Sequence, residues 1–259
     1  MTYSAIEVTR TGPVLRVTLA CPDRGNTVDA TLLADLDRAL DEAEAAAECR
    51  VVVIDARGSV FCNGLDMAEA AASGSAPGGP DGASLNGTAF FRLLRRFTHL
   101  PRTIVASVDG RVAGGGVGLV AACDLVHATE RSTFSLPEAL WGLLPCSVLP
   151  YLIRRTGFQT AYAMTLTTLP LTAAEAAERR LADEVSPDAD PLVRRLVSRL
   201  TKVDGHVIGD AKRYFSSLHP VTEQTERHAV DEFARLASAP GVRDGFARFA
   251  ATGRYPWEK

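Results

Sequence analysis

The sequence lacks a strong charge of either sign. Its formal net charge is −3 and its isoelectric point lies near 6.0, which leaves no field able to gather nucleic acid or an anionic membrane by charge alone. It also lacks a C-x-x-C pair: the five cysteines, Cys21, Cys49, Cys62, Cys123 and Cys146, are scattered and odd in number. Neither a disulfide framework nor a structural zinc site is suggested, and reduced thiols are the expectation. No stretch approaches the roughly 20 uninterrupted apolar residues of a spanning helix. Residues Met1–Arg10 are polar and carry no apolar signal-peptide core, so no membrane partner and a cytoplasmic location are expected. Finally, the phosphate loops are missing. No G-K-[ST] follows the glycine cluster at Gly114–Gly116, and the spacing Gly114, Gly116, Gly118 is not the dinucleotide pattern. Neither a cofactor nor a metal is expected.

What is present is enough apolar material for a full core: 46% of the 259 residues are hydrophobic and 23% charged. Short strand-like runs alternate with periodic helical stretches, the pattern of mixed α/β packing. Val14–Leu19 alternates like a half-buried strand, Ala30–Glu48 has helical spacing, and Val51–Ala56 is β-branched enough for an interior strand. Thr103–Val108 and Leu125–Ala128 read as further strands. Between them, Ala70–Gly87 collapses into Ala, Ser, Gly and Pro. That composition has too little apolar area to offset the entropy of ordering, and predicts a mobile loop, either a lid or a tolerated insertion. After Pro145 the pattern turns helical, with Ser147–Thr156, Gln159–Thr167 and a helix opened by the capping-box pair Thr172 and Glu175. Two or three amphipathic helices follow from Pro191 to about Phe249. This divides the chain into a core over 1–190 and a C-terminal helical region over 191–259.

A strand, three glycines and a helix form a recipe for aiming free backbone N–H groups at negative charge. Alone, the cluster is better read as tight helix–strand packing. Its company changes the weighting: Phe61-Cys62-Asn63-Gly64-Leu65-Asp66 stands about fifty positions upstream and Ser135-Leu136-Pro137-Glu138 about twenty downstream. With Asp109-Gly110-Arg111-Val112-Ala113-Gly114-Gly115-Gly116 and Cys123-Asp124, these segments match in order and spacing the F-C-x-G-x-D, N/D-G-x-x-x-G-G-G, C-D and P-E motifs of the crotonase (enoyl-CoA hydratase/isomerase) superfamily. The chain resembles that family over nearly its whole length.

The resemblance implies a crotonase spiral of ββα turns, with C-terminal helices packing subunits into a homotrimer, often paired into a hexamer. It implies an oxyanion hole at the backbone N–H groups of Leu65 and Gly115, each worth about 3 kcal/mol to a transition state. Cys62, Asn63, Gly64, Asp66 and Gly114 flank those donors as substrate-binding positions, and Trp141, Leu144 and Cys146 border the expected acyl pocket. Of the two glutamates of a typical hydratase only Glu138 is present, and the other position is Gly118. A lone carboxylate suits a syn elimination if an apolar pocket lifts its pKa toward neutrality. Glu138 in isolation would more readily be a capping or salt-bridging carboxylate.

A longer match narrows the reading. Thr133–Glu138, Trp141–Cys146, Leu149–Gln159 and Gly253–Glu258 resemble the dehydratase of polyketide β-branching (HMG-CoA-synthase-like) cassettes, which also has glycine at 118 and glutamate at 138. That subfamily removes water from 3-hydroxy-3-methylglutaryl groups on an acyl carrier protein, and Glu138 would then serve as base and proton donor. Arg92, Arg95 and Arg96, with His99 nearby, are candidates for the substrate's distal carboxylate or for docking the acidic carrier, although an arginine-rich helical face is most often a solvated surface. The alternatives are a hydratase, isomerase or decarboxylase working on a CoA thioester, and a non-catalytic crotonase-fold binding protein.

Overall fold

The computed structural model describes residues 2–65 and 83–258. Among these residues ten strands form two sheets. The larger has the order β1-β2-β3-β5-β7-β10, built from Ile6–Thr11, Val14–Leu19, Val51–Ala56, Thr103–Val108, Leu125–Thr129 and Glu184–Ser186. Only β1 and β2 pair antiparallel; every other neighbour in this sheet is parallel. The smaller sheet has the order β4-β6-β8-β9, from Val60–Cys62, Arg111–Ala113, Thr133–Ser135 and Leu171–Thr172. Its first three strands run parallel.

The chain therefore repeats one move. A long strand of the large sheet (β3, β5, β7) passes into a short strand of the small sheet (β4, β6, β8), and a helical segment then returns it to the next turn. The helix α1, Ala30–Ala45, precedes β3. It is opened by Asp29, whose carboxylate accepts the Leu32 N–H. Helix α2, Ala83–His99, closes the first turn, and α3, Gly115–Ala122, the second. After β8 come a 3-10 turn at Glu138–Trp141, α4 (Leu149–Thr156), α5 (Phe158–Thr167) and α6 (Ala173–Glu178). The Thr172–Glu175 capping box forms as the sequence predicts. Four helices follow β10: α7 (Ala189–Leu200), α8 (Gly205–Leu218), α9 (Glu223–Ala237) and α10 (Pro240–Thr252).

The β-branched runs are fully buried because both faces of the sheet are covered. Val52 and Ile54 face the main core with Leu15, Leu40, Phe97 and Val126, whereas Val51, Val53 and Val105 meet Val193 of α7 on the other face. A division at residue 191 thus falls inside a helix that packs on the large sheet. Two element readings shift. Helix α2 begins at Ala83, so the last five positions of the Ala/Ser/Gly/Pro stretch are helical, while its earlier part, 70–82, lies outside the described residues. The C-terminal region holds four helices rather than two or three, because Pro240 opens α10 at its first turn instead of breaking the pattern.

Candidate active site

The three parallel strands of the small sheet end side by side, and each delivers one piece of the site. Beyond β4 stand Gly64 and Leu65, beyond β6 the glycines 114–116, and beyond β8 the Pro137–Glu138 turn. Ligand sites of parallel sheets lie at such carboxyl ends.

Backbone contacts orient the two donors. Gly64 C=O accepts the Val28 N–H at 2.6 Å. In a trans peptide the N–H points opposite to the C=O, so the Leu65 N–H faces away from the Val28 segment. Gly114 C=O accepts the Val117 N–H at 2.9 Å, which turns the Gly115 N–H outward at the start of α3. Among the described residues neither N–H has a hydrogen-bond acceptor. The two segments touch: a Cβ at position 64 would lie 2.7 Å from Gly115 N, and Gly64 has φ +78°. Only glycine fits there, by both contact and conformation. Gly116 answers a different need. A Cβ there would come within 2.5 Å of Cys62 O and 2.9 Å of Cys62 Cβ, so this glycine lets α3 pack directly on β4.

Glu138 opens the 3-10 turn beside the cluster. A Cβ at Gly114 would sit 2.9 Å from Glu138 Oε1 and 3.9 Å from Gly64 Cα, which places the carboxyl over the same glycines that present the donors. The residue is half-buried, but Oε2 is fully enclosed and has no hydrogen-bond partner among the described residues. Burial disfavours the charged form and pushes the Glu138 carboxyl up to about 7, against a smaller lowering by its own backbone N–H. Among the described residues no cation offsets it.

The position of the second family glutamate is filled by hydrocarbon. A Cβ at Gly118 would meet Val148 Cγ2 at 3.0 Å, Phe90 Cζ at 3.2 Å and Leu94 Cδ1 at 3.4 Å. The departure at 118 is thus a repacked wall rather than an empty slot.

The other candidates occupy various places. Cys62 is fully buried under α3 and its thiol is pushed up to about 12 by burial. Cys146 is buried too, its thiol raised to about 11 by burial first and then by the nearby Glu232 carboxylate. Neither is a ready nucleophile. Asn63 is half-buried; its N–H donates to Gly25 O at 3.0 Å, and its side-chain Oδ1 is enclosed without a partner among the described residues. Leu144 is half-buried against the main core. Asp66 lies outside the described residues. The Trp141 ring sits in a cluster with Phe246, Phe249, Tyr255 and Trp257, at centroid distances of 4.9 to 5.7 Å. His127 is buried in β7, where burial pulls its pKa down.

The arginines of α2 are engaged with neighbouring acids. Arg96 pairs with Asp37 and with Asp41 of α1, the latter at 2.7 Å. Arg92 and Arg95 share the buried Glu226 of α9, at 3.2 and 3.6 Å.

Three contributors went unread in the sequence. Asn26, buried with φ +50°, accepts the Cys21 N–H at 2.8 Å and donates to Arg57 O and Val60 O at 3.1 and 2.8 Å, tying the strand that bears the first donor to the segment before α1. Val28 and Phe90 are the others. The family resemblance begins at Asn26-Thr27-Val28 but assigns no role there, and nothing local marks Phe90.

An open cleft elsewhere shares no residue with this site. Two of its cations are tied to structural partners, Lys212 to Asp124 at 2.7 Å and Arg155 to Asp183 at 2.7 Å, and Arg154, Glu178 and Arg180 line it as well. Among the described residues no cluster of three His, Cys, Asp or Glu side chains could hold a metal ion.

A ββα spiral carrying this arrangement is the crotonase fold, and the chain belongs to the enoyl-CoA hydratase/isomerase family, whose model matches residues 9–259. Among curated relatives it is 33% identical over 267 residues to the bacillaene synthase dehydratase PksH of Bacillus subtilis, covering 100% of this chain and 98% of that protein. The crystal structure of a polyketide biosynthesis enoyl-CoA hydratase, PksH of Bacillus subtilis, superposes with a TM-score of 0.89 at 31% identity, over 98% of this chain and 100% of that one. An enoyl-CoA hydratase/isomerase from Xanthobacter autotrophicus Py2 is similar at a TM-score of 0.87 and 26% identity, covering 97% and 95%.

Proposed function

We propose that this enzyme is a hydro-lyase of polyketide biosynthesis that removes water from a β-hydroxy, β-branched acyl group of the 3-hydroxy-3-methylglutaryl type carried as a thioester on an acyl carrier protein. The observation that carries the reading is the Glu138 carboxyl, the one carboxyl at this site among the described residues, set with an enclosed Oε2 over two outward-facing backbone N–H groups, while hydrocarbon packs at the position of the second glutamate. Full-length similarity to a dehydratase supports the direction of the reaction.

In this mechanism Leu65 N–H and Gly115 N–H hold the thioester oxygen. Ionised Glu138 takes the α-proton, and the electron pair of the broken C–H bond becomes an enolate stabilised by both donors. The enolate then expels the β-hydroxyl, forming the C=C bond, and Glu138 returns its proton to the departing oxygen on the same face. Water leaves and the carboxylate is regenerated. The proton that Glu138 returns to the departing oxygen supplies the acid assistance, so no second acid is required. Asn63, Gly64, Gly114, Leu144, Cys146 and Asp66 are proposed as substrate-contacting positions around this centre, with Cys62 under α3 and Trp141 in the C-terminal aromatic cluster backing them.

A CoA thioester is the second reading, favoured by the hydratase/isomerase family match. Incubating carrier-bound and CoA-bound 3-hydroxy-3-methylglutarate side by side, with mass spectrometry for loss of one water, decides between them. Faster turnover of the carrier form is expected; turnover of the CoA form alone would remove the carrier assignment. A homotrimer or hexamer is supported by the exposed apolar faces of α5 and α8, which include Phe158, Leu166, Tyr214 and Phe215. Among the described residues no helix is long and apolar enough to cross a membrane.

A further inference from the structure

We infer that Phe90, backed by Val148, sets the size of the β-substituent that this site accepts; the inference rests on the dehydratase reading above. Gly115 and Gly118 lie one turn apart on the same face of α3. The tip of the Phe90 ring spans both: its Cζ would be 3.5 Å from a Cβ at 115 and 3.2 Å from one at 118, while Val148 Cγ2 closes the far side at 3.0 Å. The glycine stripe beside the Gly115 donor is therefore walled by one aromatic ring and one branched side chain.

That wall cannot withdraw cheaply. Phe90 is 9% exposed, and its neighbours on α2, Phe91, Leu93, Leu94 and Phe97, are all buried in the main core. The Tyr151 hydroxyl donates to Phe91 O at 3.3 Å, and Arg92 pairs with Glu226. Interiors packed this way yield little to an added methylene.

The substrate, for its part, cannot avoid the wall. The β-carbon is two bonds from the thioester carbonyl carbon. With the carbonyl oxygen held at Gly115 N–H, the groups on that carbon lie within van der Waals reach of whatever packs on residues 115 and 118. Phe90 and Val148 offer no proton donor and no acceptor, so they select by shape. A methyl-sized branch is the class of substituent such a wall admits, and a larger branch must displace the ring.

The test compares carrier-bound 3-hydroxy-3-methylglutaryl and 3-hydroxy-3-ethylglutaryl groups as competing substrates of the full-length enzyme, read by mass spectrometry as the ratio of their kcat/KM values. The native enzyme is expected to favour the methyl form by about tenfold or more, the usual worth of one methylene in a fitted pocket. Phe90→Ala should move that ratio toward the ethyl form by about tenfold, with Phe90→Leu in between. If Phe90→Ala does not fold, as judged by circular dichroism, Phe90→Leu and Val148→Ala carry the same expectation. A native enzyme that dehydrates the methyl form, with ratios unmoved in every folded variant, overturns the role of Phe90 and leaves the dehydratase reading standing. A native enzyme that dehydrates neither substrate overturns both.

Discussion

At the scale of single residues the account turns on which atoms are used. Leu65 contributes its main-chain N–H, so Leu65→Ala should hold kcat/KM to within about threefold of the native value, whereas Glu138→Gln should lower it by about 10²–10⁴. Steady-state assays of the two variants separate a main-chain role from a side-chain role. The raised Glu138 pKa fixes a pH dependence as well. The base must be ionised, so kcat/KM should rise with pH to a half-maximum near 7 and then level off; a half-maximum near the ordinary carboxyl value of 4.5 would place Glu138 in water. The same shift works against stability. The native carboxyl keeps its proton where the unfolded chain has already lost it, so unfolding free energy falls as pH rises from 4.5 to about 7. Glu138→Gln lacks that loss, and its urea midpoint should gain on the native one over this window. Asn26, by contrast, was invisible as a contributor because its work is a set of hydrogen bonds to Cys21, Arg57 and Val60, distant in sequence from the motif it holds.

At the scale of elements, the turn that carries Glu138 is braced from one side by the C-terminal helix and tail. Trp141, three residues after the carboxylate, stacks on Phe246 at 4.9 Å and meets Trp257 edge-on at 5.6 Å. Trp141→Ala should cost about 3–5 kcal/mol of stability, the usual range for a large buried aromatic, read from denaturant unfolding. A cost under about 1 kcal/mol would mean that the cluster contributes little. Gly116→Ala should also destabilise, by about 1–3 kcal/mol, because the new Cβ falls against Cys62. Strands β3 and β5 were legible because β-branched, doubly buried runs leave a local signature, and β2 because its apolar residues alternate. The glycines at 64, 114 and 116 were legible because close approach forbids any other residue. The start of α2 was not, since Ala, Ser, Leu, Asn and Gly at 83–87 say little about helix until the hydrophobic face from Phe90 onward is packed. The second bracing, Arg92 and Arg95 on Glu226, joins residues 134 and 131 positions apart and has no sequence signature at all.

At the scale of the whole molecule, the fold does one thing for chemistry: three successive ββα turns stack their short strands, and three chain segments far apart in sequence end at one place. The outer faces tell a different story. Phe158, Tyr162 and Leu166 recur every four residues along α5 and stand 50–63% exposed, a stripe of the kind that marks protein–protein contact. Light scattering after gel filtration should give a mass of three or six times 27.6 kDa, and Tyr162→Glu with Leu166→Glu should lower it; a native mass of one chain would contradict the assembly. The central claim is that Glu138 removes an α-proton while two amides hold the resulting enolate, and proton exchange reads this without any elimination. Carrier-bound 3-methylglutarate, which has no β-hydroxyl to lose, is incubated in D2O and followed by NMR at the α-carbon. The expected result is enzyme-dependent deuterium uptake that Glu138→Gln slows by about 10²-fold or more. Equal uptake in the two proteins, or none in the native enzyme, would contradict it.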